Sequence, residues 1–405
     1  MIPPYLRFSH IKGRGIHLGI CGSIAAYKAL ELLRDFIHSD MRVSATITES
    51  GQRFITPLSL SALGAEPVYE GMFEGEEVYA HLYPGELPEV FTIAPATANT
   101  LARIAHGLAD DMLSAQALSF GGKIVMAPAM NPRMWSAVAT QRNISLLKEM
   151  GIEIISPQRG EVACREQGEG RLAPVEDIYF WTLRAISPSD LKGERVLITL
   201  GPTREFWDPV RFWSNPSSGK MGSALATAAW LKDAEVVCVC GPCDVYLPPQ
   251  VEVIHVTTAR EMYEACVDLW GGCTIACLCA AVCDFRPCEP KEEKFKKDSI
   301  TGPLTIEFEL NPDILKTLGA RKRSHQRLIG FAAESSSHFE DLAREKLVNK
   351  NLDLIVANQI NQKNSGFEWD TNSVTIIDKS KRAITMENMS KADVAWKIWE
   401  LISLA

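Results

Sequence analysis

Twice along its 405 residues the chain runs a short apolar strand into a glycine or proline turn and then into a segment of helical spacing. In the first half the order is IHLGI, CGS, IAAYKALELLRDFIH and then a second strand, VSATIT. In the second half it is RVLITL, the longer GPTREFWDPVRFWSNPSSGKMG, SALATAAWLKD and the strand EVVCVC. Strands separated by helices pair side by side in one direction, so the pattern predicts an α/β chain with parallel sheets and right-handed crossovers. Ligands then bind beyond the carboxyl ends of the strands. The polar stretch TLRAISPSDLKGE, with Pro188 and Gly193, separates the halves. A chain of this length exceeds one hydrophobic core, and the division gives two expected domains, 1–185 and 186–405.

The formal net charge of -8 argues against a general binder of nucleic acid or of a membrane surface, since both carry negative charge. No stretch is long and apolar enough to span a bilayer, and MIPPYLRFSHIKGRG lacks the apolar core of a signal peptide. The expected location is therefore cytoplasmic. Nine of the 11 cysteines fall between Cys238 and Cys288, many at near-alternate positions in VVCVC and CTIACLCAAVC. An odd total without a secretion signal argues against a disulfide framework. Cys240-Gly-Pro-Cys243 copies a thioredoxin-like motif, but that chemistry wants the first thiol at a helix N-terminus, and the following DVYLPP cannot start a helix. The spacings match no common zinc or iron–sulfur pattern. Small hydrophobes on buried strands is the simpler reading.

Neither half carries GxGxxG or a Walker lysine loop. Gly22-Ser23 opening a helix suits a phosphate or a plain tight turn equally. In FTIAPATANTLARIAHGLADDMLS, Thr97, Asn99 and Thr100 end a strand with polar groups. The next strand, KIVMA, is stopped by prolines just where Asn131 appears, between Met130 and Met134. Two strand ends thus present small polar groups to one crevice, which suits a flat polar heterocycle.

PATANT, PAMNPRMW and GSIAAYK resemble, in order, the motifs of the homo-oligomeric flavin-containing cysteine decarboxylases, and within them phosphopantothenoylcysteine decarboxylase. The resemblance implies a flavodoxin-like fold holding FMN, bordered by Gly22, Ser23, Thr48, Thr97, Asn99 and Met130. It also implies that flavin oxidises the cysteinyl thiol to a thioaldehyde, carbon dioxide leaves, and the enethiol is then reduced. His81 in VYAHLYPG matches the family's catalytic histidine, although a surface histidine in a Glu-rich loop reads equally well from the residues alone. Asn131 matches the amide that binds the substrate carboxylate; taken alone it is also a turn asparagine before proline. GEVACREQGEGRL resembles the family's clamp, whose cysteine, here Cys164, is the acid of the reductive half. The family has glycine directly after it; Arg165 here sets a cation beside the thiol and changes the clamp's turn.

In the second half WSNPSSGKMG is a donor-rich nest suited to phosphate. AAVCDFRP ends a strand with Asp284, and KEEKFKKDS gathers Lys291, Lys294, Lys296 and Lys297. NPDIL starts a helix, GFAAES ends a strand, and EKLVNKNLDLIVAN adds Lys346 and Lys350. Singly, lysine runs read as solvated faces and Asn-Pro-Asp as a helix cap. Together they resemble phosphopantothenate–cysteine ligase, so that the whole chain resembles the bifunctional proteins of coenzyme A biosynthesis. The resemblance implies a Rossmann-like ligase domain that uses CTP and Mg²⁺ to activate 4'-phosphopantothenate for attack by cysteine. Lys294, Lys346 and Lys350 would meet the triphosphate, and Asp284 the ribose and metal. Cys279, Ala280, Asn311, Pro312, Asp313, Ile314 and Phe331 would border the nucleotide. Asn215 would serve the cysteine attack, with Pro216 replacing the family's usual histidine. The implied assembly is a homo-oligomer with trimeric flavin domains and dimeric ligase domains. Two rivals differ in residues. A prenyltransferase of similar fold lacks the PAMNPRMW wrapping and a ligase half, and a flavin-binding regulatory relative of the phosphatase-inhibitor kind lacks part of the His81, Asn131, Cys164 set.

Overall fold

The computed structural model describes residues 1–72, 78–85, 88–296, 302–334, 339–359, 369–380 and 382–403. The chain divides into two compact units, one of Met1–Ile2 with Ser9–Pro188, the other of Pro3–Phe8 with Ser189–Ala405. Among the described residues no helix is long and apolar enough to cross a membrane.

The first unit runs β1 (Gly15–Ile20), α1 (Tyr27–Ile37), β2 (Arg42–Ile47), α2 (Pro57–Ala62), β3 (Ala65–Tyr69) and β4 (Val90–Ala96). It continues through α3 (Ala98–Ala105), α4 (Met112–Ser119), β5 (Lys123–Pro128), α5 (Pro132–Ser136), α6 (Val138–Glu149) and β6 (Glu153–Ile154). The hairpin β7 (Gln158–Glu161) and β8 (Gln167–Arg171) precedes α7 (Val175–Ile186). Six strands lie in the order β3-β2-β1-β4-β5-β6, all parallel. Without the edge strand β3, the remaining five have the 2-1-3-4-5 order of a flavodoxin-like sheet. Every residue of β1 and β4 is buried, so helices cover both faces, as a parallel sheet requires.

Three fully buried strand residues, His17, Thr46 and Thr92, break the apolar rule, and His17 is the titratable one. His17, fully buried in β1, meets Ser44 Oγ and Thr46 Oγ1 at 2.8 Å and Gln116 Oε1 at 3.2 Å, with its ring edge-on to Phe91. Burial holds its pKa down at about 3.

The second unit runs β9 (Arg195–Leu200), the hairpin β10 (Arg204–Phe206) and β11 (Phe212–Ser214), α8 (Lys220–Leu231), β12 (Glu235–Cys240) and β13 (Glu252–His255). It continues with α9 (Ala259–Trp270), β14 (Ile275–Leu278), β15 (Phe285–Pro287), β16 (Phe308–Leu310), α10 (Ile314–Arg321) and β17 (Arg327–Glu334). It closes with α11 (Phe339–Asn349), β18 (Leu354–Gln359), β19 (Thr371–Asp378), β20 (Ala383–Ser390) and α12 (Lys391–Ser403). The eight-stranded order is β13-β12-β9-β14-β17-β18-β19-β20. Its first six strands are parallel in Rossmann order, and β19 and β20 add antiparallel at one edge.

The small-residue run SALATAAWL is apolar all round, and α8 is accordingly buried from Met221 to Leu231. The Trp399 Nε1 of α12 donates to the Leu225 carbonyl at 3.0 Å. Gly222 allows α8 to lie on β9, since a Cβ there would come within 2.2 Å of Leu200 Cβ.

The division falls three residues beyond the sequence boundary, because α7 carries on to Ile186. Residues 3–8 also belong with the second unit, where Phe8 packs edge-on against Trp396. Six residues carry no periodicity that could have assigned them. The cysteines at Cys238, Cys266, Cys273 and Cys277 are buried thiols on strands, a helix and its end, as small hydrophobes are.

His17 gives the first unit a defined acid sensitivity. Unfolded, the imidazole takes its proton near pH 6.5; folded, it stays neutral down to about pH 3. Stability is therefore highest above pH 6.5 and falls as pH drops towards 3, by at most about 1.4 kcal/mol per pH unit. Urea midpoints measured from pH 7 to 4 will show a shallower decline in His17→Gln than in the unaltered chain; equal slopes would remove His17 as the cause.

Candidate functional site

In the first unit a cavity of about 490 Å³ opens beyond the carboxyl ends of β1, β2, β4 and β5. Gly22 to Ala25 form one wall, where Ser23 Oγ caps the short turn Ile24–Ala26 by accepting from the Ala25 N–H. Gly22 is required, because a Cβ would sit 2.4 Å from Ser50 Cβ. Thr48 and Ser50 follow β2, and Thr97 to Thr100 open α3, with Thr97 as its N-cap. Met130 and Asn131 follow β5. The structure thus brings Gly22, Ser23, Thr48, Thr97, Asn99, Met130, Asn131 and Cys164 to one cavity. The sequence did not single out Arg103 and Asp111, an ion pair on the same lining.

The β7–β8 hairpin closes over this cavity. It is pinned where the Met130 N–H donates to the Gly170 carbonyl at 2.9 Å, an approach only glycine permits, since a Cβ would lie 2.2 Å from Met130 O. Asn131 Oδ1 accepts from Arg133 N, capping α5, which leaves Nδ2 to donate to Cys164 Sγ at 3.1 Å and to Glu166 Oε2 at 3.0 Å. Arg133 holds the other Glu166 oxygen at 2.6 Å. Arg165 adopts φ +63° at the hairpin turn, a left-handed conformation that favours glycine. His81 does not line the cavity. Its carbonyl accepts from Ser119 Oγ at 2.8 Å, and the preceding Ala80 carbonyl accepts from Gln116 Nε2 at 3.0 Å.

In the second unit a cavity of about 530 Å³ lies at the corresponding sheet end. Asn215 to Gly222, Cys279 to Val282, Asp284, Phe331 and Lys346 line it, which places Asn215, Cys279, Ala280, Asp284, Phe331 and Lys346 together. Gly219 is the left-handed N-cap of α8, at φ +76°. Asn311 is tied to the strand end, with its N–H on the Asp284 carbonyl and its Nδ2 on the Cys283 carbonyl. Asp313 caps α10 and pairs with Lys350 at 2.8 Å. Pro312 and Lys294 stand outside the lining, Lys294 exposed, and Ile314 is buried in the core beside Leu318. Lys297 lies outside the described residues.

Two lining residues, Asn372 and Lys391, carried no signal in the sequence, and two more, Lys220 and Asn358, lie inside quoted motifs without having been singled out. Lys220 bridges to Asp370 at 2.8 Å. Lys391 Nζ donates to the Trp369 carbonyl, and burial pulls its pKa down to about 8. The buried oxygens Asn358 Oδ1 and Asn372 Oδ1 accept no hydrogen bond among the described residues. Cations from separate elements with two waiting acceptors suit an anionic ligand that also carries N–H or O–H donors. Asp284 is the one carboxylate on the described lining.

Residues 7–187 match the Flavoprotein family, and residues 191–404 match the family described as DNA/pantothenate metabolism flavoprotein C-terminal domain. The coenzyme A biosynthesis bifunctional protein CoaBC of Bacillus subtilis (strain 168) is 39% identical over 399 residues, 97% of each chain. Its counterpart in Escherichia coli (strain K12) is 40% identical over 368 residues, 90% of each. A crystal structure of the C-terminal domain of a CoaBC protein is 39% identical, covering 53% of this chain and 97% of that one, with a TM-score of 0.45. The chain belongs to the family of bifunctional coenzyme A biosynthesis enzymes, a decarboxylase half joined to a ligase half.

Proposed function

We propose that the second unit joins cysteine to 4'-phosphopantothenate using CTP and Mg²⁺, and that the first decarboxylates the product to 4'-phosphopantetheine with FMN. The observation that carries the first half is the Asn131 amide, which donates to a carboxylate oxygen of Glu166 and to the Cys164 sulfur at once. A group already holding a carboxylate beside a thiol suits a substrate carboxylate held beside an acid. Asn131 carries no charge, so it orients that carboxylate without the ground-state stabilisation a cation would add. Cys164 then delivers a proton from the clamp to the decarboxylated product.

The first cavity fits FMN in its donors, with Ser23, Thr48, Thr97 and Asn99 at the strand ends and no side chain at Gly22. FMN, when bound, supplies the two-electron sink that the cysteinyl carbanion lacks. His81 is assigned to the thiol proton. Its place outside this cavity suits a homo-oligomer in which flavin domains complete each other's sites; the trimeric flavin domains and dimeric ligase domains are part of this proposal.

In the second half the nest at 217–219, with Lys220, Lys346 and Lys391, would hold the triphosphate. A single carboxylate, Asp284, is the usual protein share for a Mg²⁺ that takes its remaining ligands from phosphate and water. Asn215 Nδ2, on the Val282 carbonyl at 3.0 Å, is fixed at the cavity edge for the cysteine-attack step. A cytoplasmic location completes this reading. Incubation with 4'-phosphopantothenate, cysteine, CTP and Mg²⁺ will yield 4'-phosphopantetheine by mass; accumulation of the carboxylated precursor alone would overturn the decarboxylase assignment, and accumulation of neither would overturn the ligase assignment.

Lys391 adds a pH dependence. Its ammonium is charged below about pH 8 and neutral above. CTP affinity will therefore hold up to pH 7.5 and weaken above pH 8, by at most about tenfold per pH unit. Lys391→Gln will bind more weakly at pH 7 and show no such limb in calorimetric titrations. A limb that persists in this variant belongs to another group.

A further inference from the structure

Neither proposed site uses Cys240 or Cys243, yet their sulfurs lie 3.7 Å apart. Cys240 ends β12 and is buried, while Cys243 is partly exposed across the Gly-Pro turn. A disulfide needs about 2.05 Å, so closing it takes a movement of less than about 2 Å within a four-residue turn. Read along the chain, DVYLPP offers these thiols no helix start; the fold brings one from elsewhere. A Cβ at Gly219, the N-cap of α8, would come within 2.6 Å of Cys243 Sγ, and one at Gly201, just after β9, within 3.0 Å. Both glycines line the second cavity. The Cys243 sulfur therefore packs on the backbone of two turns that shape that cavity, one of them closing the nest at 217–219.

The geometry points to Cys240–Cys243 as a reversible disulfide site that lowers the nucleotide affinity of the second unit when it closes. Drawing Cys243 Sγ towards Cys240 removes it from Gly201 and Gly219, and the nest N–H groups lose the packing that aims them. Hydrogen bonding between the sulfurs draws the Cys240 thiol below its ordinary pKa and pushes Cys243 up. The oxidant class is a small disulfide, R–S–S–R. A protein thiolate attacks one of its sulfurs, the S–S bond breaks, and RS⁻ leaves with a mixed disulfide in place. The second cysteine loses its proton to solvent, attacks the protein sulfur of that mixed disulfide and expels the other RS⁻. Two cysteine thiols are oxidised, and one small disulfide is reduced to two thiols.

The effect on affinity rests on the nucleotide reading of this cavity; formation of the bond does not. The test uses the full chain carrying Cys164→Ser and Cys288→Ser, which removes the two exposed thiols. After treatment with oxidised glutathione, the peptide holding both cysteines will lose two hydrogens without gaining glutathione. The Kd for CTP will rise at least about fivefold and return with dithiothreitol. Adding Cys243→Ser will abolish the response. An adduct without closure, closure with unchanged Kd, or the same loss in the Cys243→Ser protein would each overturn the proposal. Should the reduced protein not bind CTP, the nucleotide reading fails instead, and the mass of the peptide still decides the disulfide.

Discussion

A parallel strand covered on both faces leaves its polar chemistry one place to stand, the carboxyl end, where the backbone escapes the sheet. Every residue of β1 and β4 is buried, and β5, β9, β12 and β14 are buried along all or nearly all of their length. Each cavity therefore lies at strand ends, and much of each lining comes from residues that follow a strand. His17, held by Ser44, Thr46 and Gln116, is the titratable exception inside the first sheet, and it stays neutral because burial forbids its charge.

Close backbone approach is the second constraint, and it acts at a few glycines. Gly170 lets the clamp hairpin lie on the Met130 carbonyl, which brings Cys164 to Asn131. Gly222 lets α8 rest on β9, which sets the Gly219 end of that helix over the second cavity. Arg165 stands where the hairpin turn wants a left-handed residue. The turn forms all the same, tied by Arg165 N–H to Val162 O and Val162 N–H to Glu166 O.

How far the sequence could be read follows from these constraints. Strand-end residues are legible because each sits one to three positions past a buried strand; Thr48, Thr97, Asn99, Met130 and Asn131 all line the first cavity. Asn215, Asp284 and Phe331, each inside a quoted motif, line the second. Residues delivered from helices or edge strands were not legible. Lys391 opens a helix whose pattern would place a lysine in water, and Asn372 sits on the antiparallel strand β19, which no strand–helix alternation predicts. Lys294, chosen from a lysine run, is exposed and outside the lining. Ile314 belongs to the core instead, since the Asn-Pro-Asp cap drives the first turn of α10 inward. The surroundings of the Cys240-Gly-Pro-Cys243 turn were hidden for a related reason: its neighbour in space is a helix start more than twenty residues earlier in the chain.

The role proposed for Asn131, the amide that holds the substrate carboxylate, is the central one. Calorimetry on the FMN-loaded protein tests this with two unreactive ligands, 4'-phosphopantothenoyl-alanine and its counterpart without the carboxylate. The unaltered chain will bind the carboxylate ligand tighter, by about tenfold or more. Asn131→Ala will bind the two alike, while keeping its affinity for the ligand that has no carboxylate. A preference that survives in Asn131→Ala, or an equal loss for both ligands, would contradict the role.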